Sequence, residues 1–358
     1  MPSSRAAAIG TCSVPLVQPC GAWRYLLSLA RPTGAGLNGT RLFGCAVALP
    51  AAQRGAQLVG RTVSLPDGRD PVVAVVGAGL MGIPIGVEFA LHQTSVLFVA
   101  RDAPQAEHRI RVALDQAVDL GLADHQVAAQ VLSAIRVVEH VSHLDTSVDL
   151  VLDCLPEDWT TKLSVMSEAA EHQPSATLAT NTSSFSITAL GEGIGAPDRT
   201  IGMHYWNPPL LMPLVEITAG TDTAPVAIDL ADALVVRVGK TPVHAKRDVP
   251  GFIWNRLQMA VLREAWWLVE HGVASIDDID TVTRLGLARR WRQVGLFGSV
   301  YLGNARQWET IAANLFPVLS NTSDAHGLAD RVLAESEHWG DLGSKRDVGL
   351  SEDRPEES

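Results

Sequence analysis

The chain of 358 residues is 47% hydrophobic and 19% charged, a balance that supplies a sizeable core and excludes a disordered or fibrous protein. Its formal net charge of −11 is uneven: residues 1–70 hold seven Arg, no Lys and two Asp, giving +5 there and −16 for the remainder. A body so acidic argues against non-specific nucleic-acid binding, and the length suggests two domains.

Residues 1–70 show no sustained periodicity and are predicted to be an extension rather than a domain. The Arg-rich, acid-poor segment "GAWRYLLSLAR" leaves an organellar leader open as the alternative to a disordered extension in a cytoplasmic protein. Cys12, Cys20 and Cys45 lie in this stretch and Cys154 stands alone, so neither a disulfide framework nor a metal site is expected. The longest uncharged run, "PVVAVVGAGLMGIPIGV" from Pro71 to Val87, is too short for a membrane span and is broken by glycines and Pro84. It reads as strand, turn and helix, with no membrane partner.

From Pro71 onward short β-branched runs alternate with longer helical ones, the pattern of a parallel sheet with crossover helices. "VVAVVGAG" and "SVLFVA" are the first two predicted strands, followed by a long helical stretch over 104–135. "DLVLDCLP", "SATLATN" and "RTIGMHY" follow as strands, then "PLVEITAG" and "TPVHAKR" around a helix at 224–238. Beyond "RDVPGFIWNRL" the spacing is helical throughout, which places a boundary near Asp248. The predicted organisation is an α/β dinucleotide-binding domain over 71–248, a helical domain over 249–345 and a polar tail over 346–358.

Gly77, Gly79 and Gly82 form G-x-G-x-x-G between the first strand and its helix. There the first glycine permits a tight turn, the second lets a pyrophosphate approach the backbone, and the third lets helix pack on strand. With Leu80 and Met81 they make the predicted cofactor loop, where free N–H groups and the helix dipole hold a diphosphate. The second strand should end in a carboxylate for the adenosine ribose of NAD, yet "FVARD" places Ala100 and Arg101 there. A guanidinium in that place suits the 2′-phosphate of NADP, whereas Asp102 reaching the ribose would restore NAD.

In "IGMHYWNPPLLMPLVEI" one histidine and one carboxylate, His204 and Glu216, stand in an otherwise apolar segment that turns through Pro208, Pro209 and Pro213. Burying either alone is costly, so each is the expected partner of the other. A histidine oriented by a carboxylate is also the composition of a general base. The plainer reading is a satisfied core histidine beside an edge-strand charge.

The ordered set "VGAGLMG", "LPEDWTTK", "TNTSSFSI", "IGMHYWNPP…MPLVEI" and "DVPGFIWNRL" resembles the L-3-hydroxyacyl-CoA dehydrogenase family from about Val72 to about Val318. The resemblance implies a Rossmann-type domain followed by an all-α C-terminal domain that dimerises, and hydride transfer between nicotinamide and C3 of a small-molecule substrate. It implies His204 as base and Glu216 as its partner, Ser183 and Asn255 as groups that hold the substrate oxygen and the histidine, and Asn207 close to the substrate. Glu157 and Lys162 fall on positions associated with the nicotinamide side. The segment from Asn255 to Trp291 is similar to the branch with L-gulonate 3-dehydrogenase and lambda-crystallin, where "GLARRW" puts Arg290 on a functional arginine. Ala288 and Leu296 depart from that branch's glycine and proline. Lys162 as a solvated helix charge and Arg290 as part of a basic helix face stand as alternatives.

The expected function is therefore an NAD(P)-dependent dehydrogenase acting on a 3-hydroxy acid or its CoA thioester. The alternatives are a gulonate-type free-acid enzyme and a non-catalytic, crystallin-like dinucleotide-binding protein.

Overall fold

The computed structural model describes residues 69–352 apart from 146, 337, 338 and 340. The expectations for residues 1–68 and 353–358 lie outside the described residues. In chain order the first half comprises β1 (Val72–Val76), α1 (Gly82–Leu91), β2 (Ser95–Val99), α2 (Ala103–Asp119), α3 (His125–Ala134) and β3 (Arg136–Val138). Then come β4 (Leu150–Asp153), α4 (Trp159–His172), β5 (Thr177–Thr180), α5 (Ile187–Ile194), β6 (Thr200–Tyr205), β7 (Leu214–Ala219), α6 (Pro225–Arg237) and β8 (Thr241–Ala245).

The strands make one sheet in the order β3-β2-β1-β4-β5-β6-β7-β8. All neighbours are parallel except β6 and β7. Runs such as "VVAVV" bury on both faces because helices cover both sides of a parallel sheet. Alternate side chains serve alternate cores. Val73 and Val75 pack with Phe89, Phe98 and Met203 on one face, while Ala74 and Val76 pack with Val151, Met166 and Leu190 on the other. Four helices of this half start where a short polar side chain accepts a backbone N–H of the first turn: Asp102 from Gln105, Asp124 from Val127, Asp158 from Thr161 and Ser186 from Ala189.

Two local features differ from the sequence-based expectation. The helical stretch over 104–135 is two helices, because Gly121 adopts a positive φ of 68° after α2 and Asp124 caps a new start. The short strand β3, pairing through Leu97↔Arg136, was not expected, since three residues carry no readable alternation.

Beyond β8 the described residues hold helices and no strand: α7 (Trp254–Glu270), α8 (Ile276–Val282), α9 (Arg289–Leu302), α10 (Ala305–Leu315), α11 (Leu328–Ser336) and α12 (Leu342–Glu352). A π-helical turn over Thr283–Ala288 joins α8 to α9, and Gly295 at φ 71° breaks α9 internally. Helix α12 runs past the expected domain end at 345 into the stretch expected to be a tail. No helix among the described residues is long and apolar enough to cross a membrane.

Candidate active site

The carboxyl ends of the central strands open onto a cavity of about 1220 Å³, the place where open α/β sheets bind ligands. Its wall includes the loop from Gly77 to Met81 at one end and His204, Ser183 and Asn255 at the other. The glycines divide the labour that the motif predicts. Gly77 has φ 107°, and a Cβ there would lie 2.7 Å from the carbonyl oxygen of Cys154. A Cβ on Gly79 would meet nothing within 4 Å, so its backbone lies bare to the cavity. Gly82 is not on the wall; a Cβ there would sit 1.9 Å from the Gly77 oxygen, so it permits the close passage of helix under loop. Arg109 of α2 donates to the carbonyl of Ala78 at 2.8 Å and ties helix to loop. A bare backbone turn opening a helix at the edge of a large cavity fits a dinucleotide diphosphate.

At the other end the β6–β7 turn sets the catalytic candidates. The antiparallel register places His204 directly opposite Glu216, and their side chains meet, Nδ1 to Oε2, at 2.7 Å. Both are buried. The remaining capacity of the carboxylate is taken up: Oε1 accepts the backbone N–H groups of Ile253 and Trp254 at 3.0 and 2.9 Å, and Oε2 accepts Trp206 Nε1 at 3.3 Å. Burial pulls the Glu216 carboxyl upward, but the hydrogen bonds from His204, Trp254 and Ile253 and the charge of His204 outweigh it and hold the group below its usual range. An ionised carboxylate only accepts, so Nδ1 of His204 carries the proton of this hydrogen bond, and it is in the neutral ring that Nε2 presents a lone pair.

Ser183 is held by its backbone. Its N–H donates to Glu157 Oε1 at 3.1 Å and its carbonyl accepts Asn255 Nδ2 at 3.0 Å. Its hydroxyl makes no hydrogen bond to any of the described residues, and Ser183 lines the cavity. Glu157 also accepts from the Thr182 hydroxyl and from Ser184 through both N–H and hydroxyl. Burial raises this carboxyl, while the bonds from Thr182 and Ser184, the Lys162 charge and the Ser183 N–H bring it below the usual range. Glu157 thus organises the serine loop as well as lining the cavity.

Lys162 is neither solvated nor on the cavity wall. It is 1% exposed, and its ammonium donates to Asp153 Oδ2 at 2.9 Å and to the carbonyl of Leu155 at 3.2 Å, with Glu157 Oε2 3.6 Å away. Its reach toward the site is through Glu157. Arg290 is exposed on α9, its guanidinium carbon 6.0 Å from the Trp308 ring centroid, and it is not on the wall either. Asn207 and Arg101 line the cavity as expected.

Sequence reasoning gave no role to several residues on this wall or just behind it. Trp206 and Trp254 stack at 3.9 Å between centroids and line the cavity; Trp206 stands two residues from His204, the signal that was available. Asn181 accepts the Tyr205 N–H at 2.7 Å, joining the end of β5 to β6. Asp153 is fully buried, taking Lys162 and Thr180 on one oxygen and the Leu155 N–H on the other. Its signal was a carboxylate closing the apolar run "LVLD". His140 and His143 meet edge to face at 5.3 Å.

The family model described as 3-hydroxyacyl-CoA dehydrogenase, NAD binding domain, matches residues 72–249, and the one described as 3-hydroxyacyl-CoA dehydrogenase, C-terminal domain, matches residues 251–352. The chain belongs to the 3-hydroxyacyl-CoA dehydrogenase family. It is an NAD-dependent oxidoreductase, with a Rossmann-type sheet domain followed by helices. Among 3-hydroxyacyl-CoA dehydrogenase relatives, a 5-formyl-3-hydroxy-2-methylpyridine 4-carboxylate 5-dehydrogenase of Mesorhizobium japonicum is 32% identical, over 70% of this chain and 82% of that one. A 3-hydroxybutyryl-CoA dehydrogenase of Clostridioides difficile is 30% identical, over 78% of this chain and 98% of that one. A crystal structure of a 5-dehydrogenase of that pyridine-carboxylate type, described as an NAD+ dependent dismutase, superposes with a TM-score of 0.68 at 26% identity, covering 79% of this chain and 97% of its own.

Proposed function

We propose that this family member oxidises the C3 hydroxyl of a 3-hydroxy carboxylic compound, or reduces the corresponding ketone, with His204 as general base. The observation that carries the reading is the buried His204–Glu216 pair, 2.7 Å apart, on the wall of the cavity that runs to the glycine loop. Removing hydride from a secondary alcohol leaves positive charge on carbon unless the hydroxyl proton departs as well, so a base must stand within hydrogen-bond reach. When bound, NAD supplies the nicotinamide carbon that accepts the hydride. His204 takes the hydroxyl proton on Nε2, and Glu216 keeps the ring in that tautomer and stabilises the imidazolium. Ser183 and Asn255 orient the reacting oxygen, and Glu157, with Lys162 behind it, keeps the serine loop in place. Gly77, Gly79, Leu80 and Met81 carry the diphosphate end.

For the substrate, a CoA thioester is the first reading: Arg290 stands on Trp308 rather than on the wall, which removes the bidentate clamp that a free acid would use within one chain. The free-acid reading is supported by the relative named for a pyridine carboxylate. Steady-state formation of reduced nicotinamide at alkaline pH, with L-3-hydroxybutyryl-CoA and L-gulonate side by side, is the test. Turnover of the thioester alone is expected, and turnover of the free acid alone replaces it with the second reading. Dinucleotide binding with turnover of neither puts the crystallin-like, non-catalytic role in its place.

The helical half is further proposed to pair with a second copy. Phe297 and Tyr301 of α9 are 83% and 79% exposed and Phe316, just after α10, is 72% exposed, and apolar surface of that kind is found at obligate interfaces.

A further inference from the structure

The adenosine end of the cavity does not have the polarity of an NAD-only site. In the NAD form of this fold the second strand ends in a carboxylate that takes the ribose hydroxyls. Here β2 ends at Val99 and the next residue is Ala100, held by its N–H on the carbonyl of Val138 and 8% exposed. The nearest substitute, Asp102, is already engaged: Oδ1 accepts the Gln105 N–H at 2.9 Å as the cap of α2, which fixes the side chain toward its own helix.

Between them stands Arg101, exposed on the cavity wall, with no hydrogen bond or ion pair to any described residue. A second guanidinium, Arg109, lies one helix face along and also on the wall; one nitrogen is spent on the Ala78 carbonyl at 2.8 Å and the others are not. The Gln105 side-chain amide shares that wall. Glu139 is the one other carboxylate at this rim, beyond the end of β3, and Arg346 of α12 reaches the wall already paired with Asp347 at 2.7 Å. A guanidinium without a partner among the described residues, in the place where a ribose carboxylate is missing, matches a dianionic phosphate monoester in charge and in fork geometry.

We propose that Arg101, assisted by Arg109, takes the 2′-phosphate of the adenosine ribose, so that the protein binds NADP(H) at least as tightly as NAD(H). The proposal rests on the dinucleotide-binding site and is independent of the substrate reading. Calorimetric titration of the full chain with NADP+ and with NAD+ tests it, repeated on Arg101→Ala and Ala100→Asp. In the wild type the NADP+ dissociation constant is expected at or below that of NAD+. Arg101→Ala should lower the NADP+/NAD+ affinity ratio by about tenfold to a hundredfold, the size of a charge-assisted hydrogen-bond pair. Ala100→Asp should lower the same ratio by bringing a carboxylate to the ribose. Retained NAD+ binding shows that each variant is folded. NAD+ binding tenfold or more tighter than NADP+ in the wild type overturns the proposal, as does an Arg101→Ala ratio equal to that of the wild type. If neither nucleotide binds the wild type, the dinucleotide site itself falls and the proposal with it.

Discussion

Between Val72 and Ala245 the large apolar side chains are mostly buried, on two faces of one sheet, whereas from Trp254 onward Trp266, still 9% exposed, is the one buried large apolar side chain among the described residues. The same contrast holds for charge. In the sheet half Lys162, Asp153, His204 and Glu216 are buried in specific pairs, while the helical half carries its arginines on the surface. Buried ionisable groups are expensive unless each lone pair and proton is matched, so a region that keeps them is committed to one geometry. The sheet half buries its own side chains and holds most of the candidate site, with Asn255 and the Ile253 and Trp254 N–H groups added from the start of the helical half; the helices leave large apolar side chains exposed.

The hardest blow to that contrast is expected at the base. His204→Gln should lower kcat by about 10²- to 10⁴-fold while dinucleotide binding, followed by titration, persists. Undiminished turnover would return His204 to the status of a core histidine. Next is the buried network: Lys162→Met strands Asp153 and should cost about 3–5 kcal/mol of stability, read by denaturant unfolding, with the serine loop loosened as well. An unchanged midpoint would show that Asp153 is hydrated and the network dispensable.

Acid should reveal the same region. Glu216 and Glu157 both have carboxyls held below the usual range. Because their folded values are depressed, the stability they add is fully present above the unfolded carboxylate value and is lost as pH falls through the folded ones. Unfolding midpoints should therefore be flat down to the ordinary carboxylate range near 4.5 and drop below it. A variant with Glu216→Gln should show a shallower acid limb; an identical limb would assign the effect elsewhere.

For the helical half the expected change is in assembly rather than rate. Sedimentation should find a dimer, and Phe297→Asp with Phe316→Asp should dissociate it. A monomeric wild type would leave those side chains unexplained. The smallest effect is expected at Arg290: on a solvated helix face its change to Ala should alter kcat/KM within about twofold, as exposed substitutions do. A loss beyond tenfold would place the Arg290 of a second copy at the cavity.

Much of this was legible in the residues because the signals are local. The glycine loop needs only its spacing after a strand, and β1 needs only "VVAVV", since one turn and one buried run are decided over a few positions. His204 and Glu216 were readable as a pair because two unmatched groups in an apolar hairpin leave each other as partners. Lys162 was not: on its helix it has the spacing of a solvated charge, and what buries it is Asp153, nine residues earlier on another element. Arg290 was placed by its surrounding motif, and its Trp308 neighbour comes from the next helix.

By itself the order of residues determined the α/β class, the dinucleotide loop, the change to helices near Asp248 and the histidine–carboxylate pair. Only the tertiary structure decided that Glu157 and Lys162 form a support beneath Ser183, that Gly82 packs while Gly79 faces the cavity, and that Arg101 has no partner among the described residues while Asp102 caps its own helix. Periodicity and spacing act along a few turns of chain, whereas desolvation and hydrogen-bond matching depend on which distant elements the sheet brings side by side.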